Sequence, residues 1–248
     1  LPAGAVEQSF VLCHKDAGTS GESTLSRKTL IGIGLVVILA IIGIGYAYYV
    51  MDSGAAESGT PGSPGFTLVS TDKAMGNPKA KVVLIEYGAP SCSICAYFFQ
   101  NEFPKLKANY IDTGKIYYVF RVFPLRELDG DSEKMARCLP EDKYFGFIDQ
   151  LWRNQPKWDN AEYPGIADAH AALVQQGRIA GMTSEQVDQC INNKEEDDRI
   201  NKVAAEAEQR YSINATPTFI LDGAPLSAGS VPYDQLSKDL DAEIAKKK

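Results

Sequence analysis

The stretch from Lys81 to Leu125 constrains the fold more than any other part of the chain. "KVVLIEYGAP" sets apolar and β-branched residues in one continuous run, the pattern of a central strand buried on both faces. Pro90 and Ser91 turn the chain, so Cys92 falls near the start of the next segment. That segment, "CAYFFQNEFPKLKANYI", carries apolar residues at helical spacing, with Pro104 as a kink. "GKIYYVFRVFPL", β-branched and aromatic, reads as a second strand. Strand, helix and strand in about 40 residues form a βαβ unit.

Helical patterns follow from about 130 to 210, including "KMARCLPEDKYFGFIDQLWRNQ" and "SEQVDQCINNKEEDDRINKVAAEAEQRY". Its acidic stretch "KEEDD" reads as a solvated helix face. "ATPTFILDGAPL" is strand, turn and strand, with Asp222-Gly223 as the hairpin turn. "YDQLSKDLDAEIAKKK" closes the chain as an amphipathic helix whose terminal lysines suit its C-terminal dipole. The expected class is therefore α/β: a βαβ unit, a helical insert and a ββα unit.

Upstream lies a different kind of segment. Leu30–Val50 carries no charge, and at 1.5 Å per residue it reaches roughly 30 Å, the hydrocarbon thickness of a bilayer. A signal-peptide core is about 7–15 residues long, and no small-x-small cleavage site follows, although a long cleaved signal is the alternative. Arg27 and Lys28 precede the run, and Tyr46, Tyr48 and Tyr49 cluster at its far end. The positive-inside rule then leaves the tail 1–29 in the cytoplasm, makes 30–50 a single-pass anchor in the lipid bilayer, and puts the rest outside. Residues 51–65, rich in Gly, Ser, Pro and Ala, read as a flexible linker. The domain proper is 66–248. A chain of 248 residues with 44% hydrophobic content suffices for one substantial core, and its net charge of −7 argues against nucleic acid as a partner.

Compartment decides how the five cysteines are read. Cys13, on the cytoplasmic side, is an ordinary tail thiol. Cys92, Cys95, Cys138 and Cys190 lie on the oxidising side, where four cysteines allow three pairings. The two-residue gap favours Cys92 with Cys95, leaving Cys138 with Cys190 as a structural disulfide; two buried free thiols are the alternative. His14 is on the wrong side, and His170 lies in a polar helical stretch. Too few nitrogen and sulfur ligands accompany the C-x-x-C pair for a metal site, so no metal and no cofactor are expected.

The order βαβ, helical insert, ββα resembles a thioredoxin fold, with C-x-x-C at the first helix and Thr216-Pro217 opening the third strand. The insert makes residues 66–248 resemble the DsbA-type thiol-disulfide oxidoreductases of bacterial cell envelopes. "GNPKAKVVLIEYGAPSCSICAYF", "FRVFPL", "LWRNQPKW" and "INATPTFILDG" carry the likeness. It implies that Cys92, at a helix N-terminus, is the attacking thiol with a lowered pKa, in a range of roughly 3.5 to 7 across such proteins. Cys95 would be the buried resolving thiol, one helical turn further in. Ser93 and Ile94 would tune the pair: Ser93 can donate a hydrogen bond to the sulfur, Ile94 cannot, and the absence of histidine there implies an intermediate oxidant.

Glu86 reads from the residues alone as an edge or partly exposed carboxylate; the resemblance implies instead a buried acid that moves the proton of the resolving thiol. Thr216-Pro217 would face the active site through a cis peptide bond and pair with an extended substrate. Threonine there, where the strongest oxidases have valine, resembles isomerase-like and more reducing relatives. The expected function is periplasmic disulfide formation at the bacterial inner membrane. Its substrates would be unfolded or partly folded exported proteins with cysteine thiols, and a membrane quinone-linked protein would reoxidise it. A disulfide isomerase or reductase of the same fold is the alternative, and a copper-handling thioredoxin-like protein a more distant one.

Overall fold

The structure is a computed structural model that describes residues 66–247. The expected cytoplasmic tail, anchor and linker, with Cys13 and His14, lie outside the described residues. Among the described residues no helix is long and apolar enough to cross a membrane.

A five-stranded sheet organises the domain, in the order β1-β3-β2-β4-β5. Its strands are β1 (Lys73–Gly76), β2 (Val83–Gly88), β3 (Tyr117–Val122), β4 (Thr218–Leu221) and β5 (Ala224–Ala228). β2 and β3 run parallel, as a βαβ crossover requires, and the other neighbouring pairs are antiparallel. β2 is the central strand, and every residue of it is buried. Its continuous apolar run follows from having two covered faces. Leu84, Tyr118, Phe120 and Phe219 face one hydrophobic cluster; Val83, Ile85, Tyr87, Val119 and Ile220 face the other.

β1 was not legible as a strand. "KAMG" has no alternation and sits at the sheet edge, paired only with β3. The helix after β2 also differs from one kinked rod. α1 (Ser93–Asn101) ends at Glu102, and a short α2 (Phe103–Leu106) restarts with Pro104 in its first turn, where a missing N–H costs nothing. The hairpin turn is as read: Asp222 and Gly223 both have positive φ, 48° and 86°, the geometry of a type I′ turn.

The helical insert runs from Glu127 to Tyr211, close to the expected 130 to 210. It comprises α3 (Glu127–Cys138), α4 (Tyr144–Arg153), α5 (Gln155–Trp158), α6 (Ala169–Ile179), α7 (Ser184–Ile191) and α8 (Lys194–Tyr211). α9 (Tyr233–Lys246) closes the domain. The "KEEDD" segment corrects the sequence reading in part. Glu195 and Asp198 are exposed, but Asp197 pairs with the buried Lys134 at 2.8 Å and Glu196 lies 3.6 Å from Arg137. Cations on α3 turn half of this helix start inward. His170 is exposed and lies 3.6 Å from Asp188.

Candidate active site

β2 delivers the chain to the site. After Gly88 the turn Ala89–Ser91 leads to Cys92, which occupies the N-cap of α1 in an extended conformation (φ −79°, ψ 114°). Its sulfur does what an oxygen usually does at that position: it accepts the N–H of Cys95 at 3.2 Å. Cys95 is fully buried one turn inside the helix. The two cysteines are free thiols in this structure.

The sheet brings up the second half of the site from 124 residues away. Tyr87 of β2 pairs with Thr218 of β4, which sets Thr216-Pro217 beside the residues just past the end of β2. The Thr216–Pro217 bond is cis. The Cys92 thiol donates to the Thr216 carbonyl at 3.4 Å. The Thr216 hydroxyl is buried and has no hydrogen-bond partner among the described residues.

These contacts make the two sulfurs unequal. The Cys92 thiol is pushed down to about 6, chiefly because the Cys95 side chain hydrogen-bonds to its sulfur. Burial opposes the shift, and the backbone N–H groups of Cys95 and Ile94 reinforce it. Cys95 is pushed well up, first by burial and then by its hydrogen bond to Cys92 and the nearby charges of Cys92 and Glu86.

Glu86 lies on the central strand with no exposed surface, so the edge reading is overturned: β3 and β4 flank it on both sides. One carboxylate oxygen accepts the Tyr118 hydroxyl at 2.7 Å, and the other has no partner among the described residues. Burial raises this acid to about 8 against the lowering effect of Tyr118. The sequence reading missed Tyr118. The signal was the parallel pairing of β2 with β3: Leu84 is opposite Tyr118, so the tyrosine shares a sheet face with Glu86, two residues on.

Ser93 and Ile94 are exposed, Ile94 at 48% of its surface. The hydrogen bonds of the Cys92 sulfur run to Cys95 and Thr216, not to the Ser93 hydroxyl. The backbone N–H groups of the first turn already converge on that sulfur. Cys138 and Cys190 lie apart from this constellation. They are joined, with S–S 2.03 Å and Cα–Cα 6.2 Å, tying the last residue of α3 to the last turn of α7. Among the described residues no group of three or more His, Cys, Asp or Glu is placed to hold a metal ion.

Comparisons with known proteins agree with this architecture. Residues 69–242 match the family described as Thioredoxin. A Rickettsia felis protein named "Putative protein-disulfide oxidoreductase" is 31% identical over 189 residues, covering 74% of this chain. The chain spans only 64% of the length of that relative. Among solved structures, alpha-DsbA1 of Wolbachia pipientis superposes with a TM-score of 0.64 at 28% identity, over 72% of this chain and 94% of that one. Oxidised BdbD from Bacillus subtilis gives 0.57 at 18% identity, over 74% and 97%, a likeness of fold alone.

Proposed function

This chain belongs to the thioredoxin family, and we propose that it is a DsbA-type thiol-disulfide oxidoreductase that forms disulfides in exported proteins through Cys92 and Cys95. The observation that carries this reading is the N-cap position of the Cys92 sulfur, with the resolving thiol buried one turn behind it.

In the proposed reaction the domain starts as the Cys92–Cys95 disulfide. A substrate thiolate attacks the Cys92 sulfur, and the S–S bond breaks with its electron pair leaving on Cys95. Glu86, raised to about 8 and so still protonated at neutral pH, is the proposed source of the proton for Cys95. A second substrate thiolate then attacks the substrate sulfur of the mixed disulfide. Cys92 departs as a thiolate, the good leaving group that its low pKa makes it. The substrate is oxidised by two electrons and the domain is reduced by two. Thr216 beside Cys92 is the proposed partner for the extended substrate backbone. A membrane quinone-linked protein is the proposed acceptor that restores the disulfide.

The charge-free run supports the rest of the proposal: 1–29 in the cytoplasm, 30–50 through the bacterial inner membrane, 51–65 as linker and 66–248 in the periplasm. An isomerase or reductase of the same fold is the second reading, favoured by threonine rather than valine before Pro217. The test is oxidation of a reduced, unfolded protein by the oxidised chain, together with the reduction potential of its cysteine pair. Disulfide formation that Cys92→Ser abolishes is expected. A potential near that of thioredoxin, roughly −270 mV, sinks the oxidase reading in favour of the reductase.

A further inference from the structure

The turn that carries Cys92 is gripped, residue by residue, by side chains of the helical insert. The Ala89 carbonyl accepts the Trp152 indole N–H at 3.1 Å, in addition to the N–H of Cys92 at 3.1 Å. The Pro90 carbonyl accepts the side-chain amide of Gln155 at 2.8 Å. Ser91 donates its N–H to Asp129 Oδ1 at 2.7 Å and its hydroxyl to Oδ2 at 3.0 Å. Asp129 also accepts the N–H groups of Leu125 and Arg126, each at 3.0 Å, which anchors it at the start of α3. The Pro90–Ser91 peptide group is thus held at both ends, its oxygen by α5 and its N–H by α3.

All three gripping side chains are buried: Trp152 is 2% exposed, Gln155 3% and Asp129 0%. Two belong to the "LWRNQPKW" segment, whose spacing now has a physical account. Trp152 and Gln155 stand three apart across the break between α4 and α5 and so reach consecutive carbonyls, while the Trp158 indole closes back on the Leu151 carbonyl at 2.9 Å. Buried carbonyls need partners in any fold. Here those carbonyls end two residues before a sulfur whose stabilising contacts depend on direction, and hydrogen bonds weaken steeply with misalignment.

We propose that Trp152, Gln155 and Asp129 are positioning residues for thiol-disulfide exchange: the insert orients the peptide groups of the Ala89–Ser91 turn and thereby sets the balance between the dithiol and disulfide forms of Cys92 and Cys95. This rests on the redox reading of that pair given above. Removing a grip lets the turn rotate, weakens the contacts that favour the Cys92 thiolate, and shifts the balance toward the disulfide.

The experiment equilibrates the full 248-residue chain with graded glutathione buffers and measures the reduced fraction of Cys92–Cys95 by thiol alkylation and mass. Gln155→Met and Trp152→Phe remove the donors while keeping most of the volume. Each is expected to move the equilibrium constant about tenfold toward the disulfide, which is about 30 mV. Leu173→Ala, a cavity in the insert that removes none of the hydrogen bonds to the turn, should lower the melting temperature and leave that constant within about twofold of the parent. If either donor variant fails to fold, Asp129→Asn replaces it with the same expected shift. Folded variants whose constants stay with the parent, or move no further than Leu173→Ala, overturn the proposal and reduce the grips to packing. A parent chain that forms no Cys92–Cys95 disulfide in any buffer overturns the redox reading and this inference with it.

Discussion

The two cysteine pairs occupy opposite ends of helices. Cys92 caps the N-terminus of α1, where unpaired N–H groups and the positive end of the helix dipole favour a thiolate. Cys138 is the last residue of α3 and Cys190 stands in the last turn of α7, where free carbonyls and the negative end disfavour one. A thiolate stabilised in the dithiol form makes a disulfide easy to reduce; a thiolate destabilised there makes it hard. Helix position alone therefore separates a pair suited to passing electrons from a pair suited to staying closed, within one domain and one solvent. Burial sharpens the contrast, because the first pair is also split internally, with one sulfur lowered and the other raised.

The largest effect expected from breaking this contrast comes from Cys95→Ser. With the resolving thiol gone, the remaining Cys92 thiolate should become trapped as a mixed disulfide with an oxidised substrate or glutathione, and turnover should stop. Mass spectrometry without reductant reads this directly; continued turnover would show that the Cys92–Cys95 disulfide is not the oxidant.

Glu86→Gln comes next. Removing the proposed proton donor should slow release of Cys95 by about a hundredfold, the scale of general acid catalysis. Stopped-flow fluorescence of substrate oxidation checks it, and an unchanged rate would return Glu86 to a purely structural role.

The structural pair should respond in the opposite way. Cys138 and Cys190 are 52 residues apart in sequence, and closing a loop of that size stabilises by about 4 kcal/mol in the chain-entropy account. For a domain of this size that is a melting temperature about 10 °C lower in a Cys138→Ala, Cys190→Ala double variant. Its oxidation rate should remain that of the parent. A large loss of rate with little loss of stability would reverse the roles assigned to the two pairs.

The smallest effect is a pH dependence that isolates Cys92. Glu86 is raised from 4.5 to about 8, so between those values the unfolded chain holds fewer protons than the folded one, and stability falls as pH rises. Burial, the largest cause of that slope, is common to both redox forms, while the Cys92 charge that adds to it belongs to the reduced form alone. Cys92 is lowered from 9.0 to about 6 only as a thiol. Its contribution is complete above about 9, shrinks as pH falls toward 6, and is lost below. The melting temperature of the reduced chain minus that of the oxidised chain should therefore rise from pH 6 to pH 9. A flat difference would mean that the N-cap does not favour the thiolate.

Much of this protein follows from local physics written in the sequence. The apolar run of β2 and the positive-φ pair Asp222-Gly223 depend on residues within a few positions of one another, so pattern and backbone preference suffice to read them. The identity of the two cysteine pairs was legible for the same reason, through a two-residue gap and a count. Tertiary structure decided what depends on distant partners. β1 is a strand only because β3 offers it an edge. Glu86 is buried only because β3 and β4 close on both sides of β2. Thr216 meets Cys92 because antiparallel pairing of β2 with β4 returns the chain to the same end of the sheet. Trp152, Gln155 and Asp129 reach the Ala89–Ser91 turn only once the insert has packed over it. A carboxylate or an amide carries no mark in sequence of the dielectric it will occupy or the carbonyl it will meet, and those two quantities set the chemistry at Cys92.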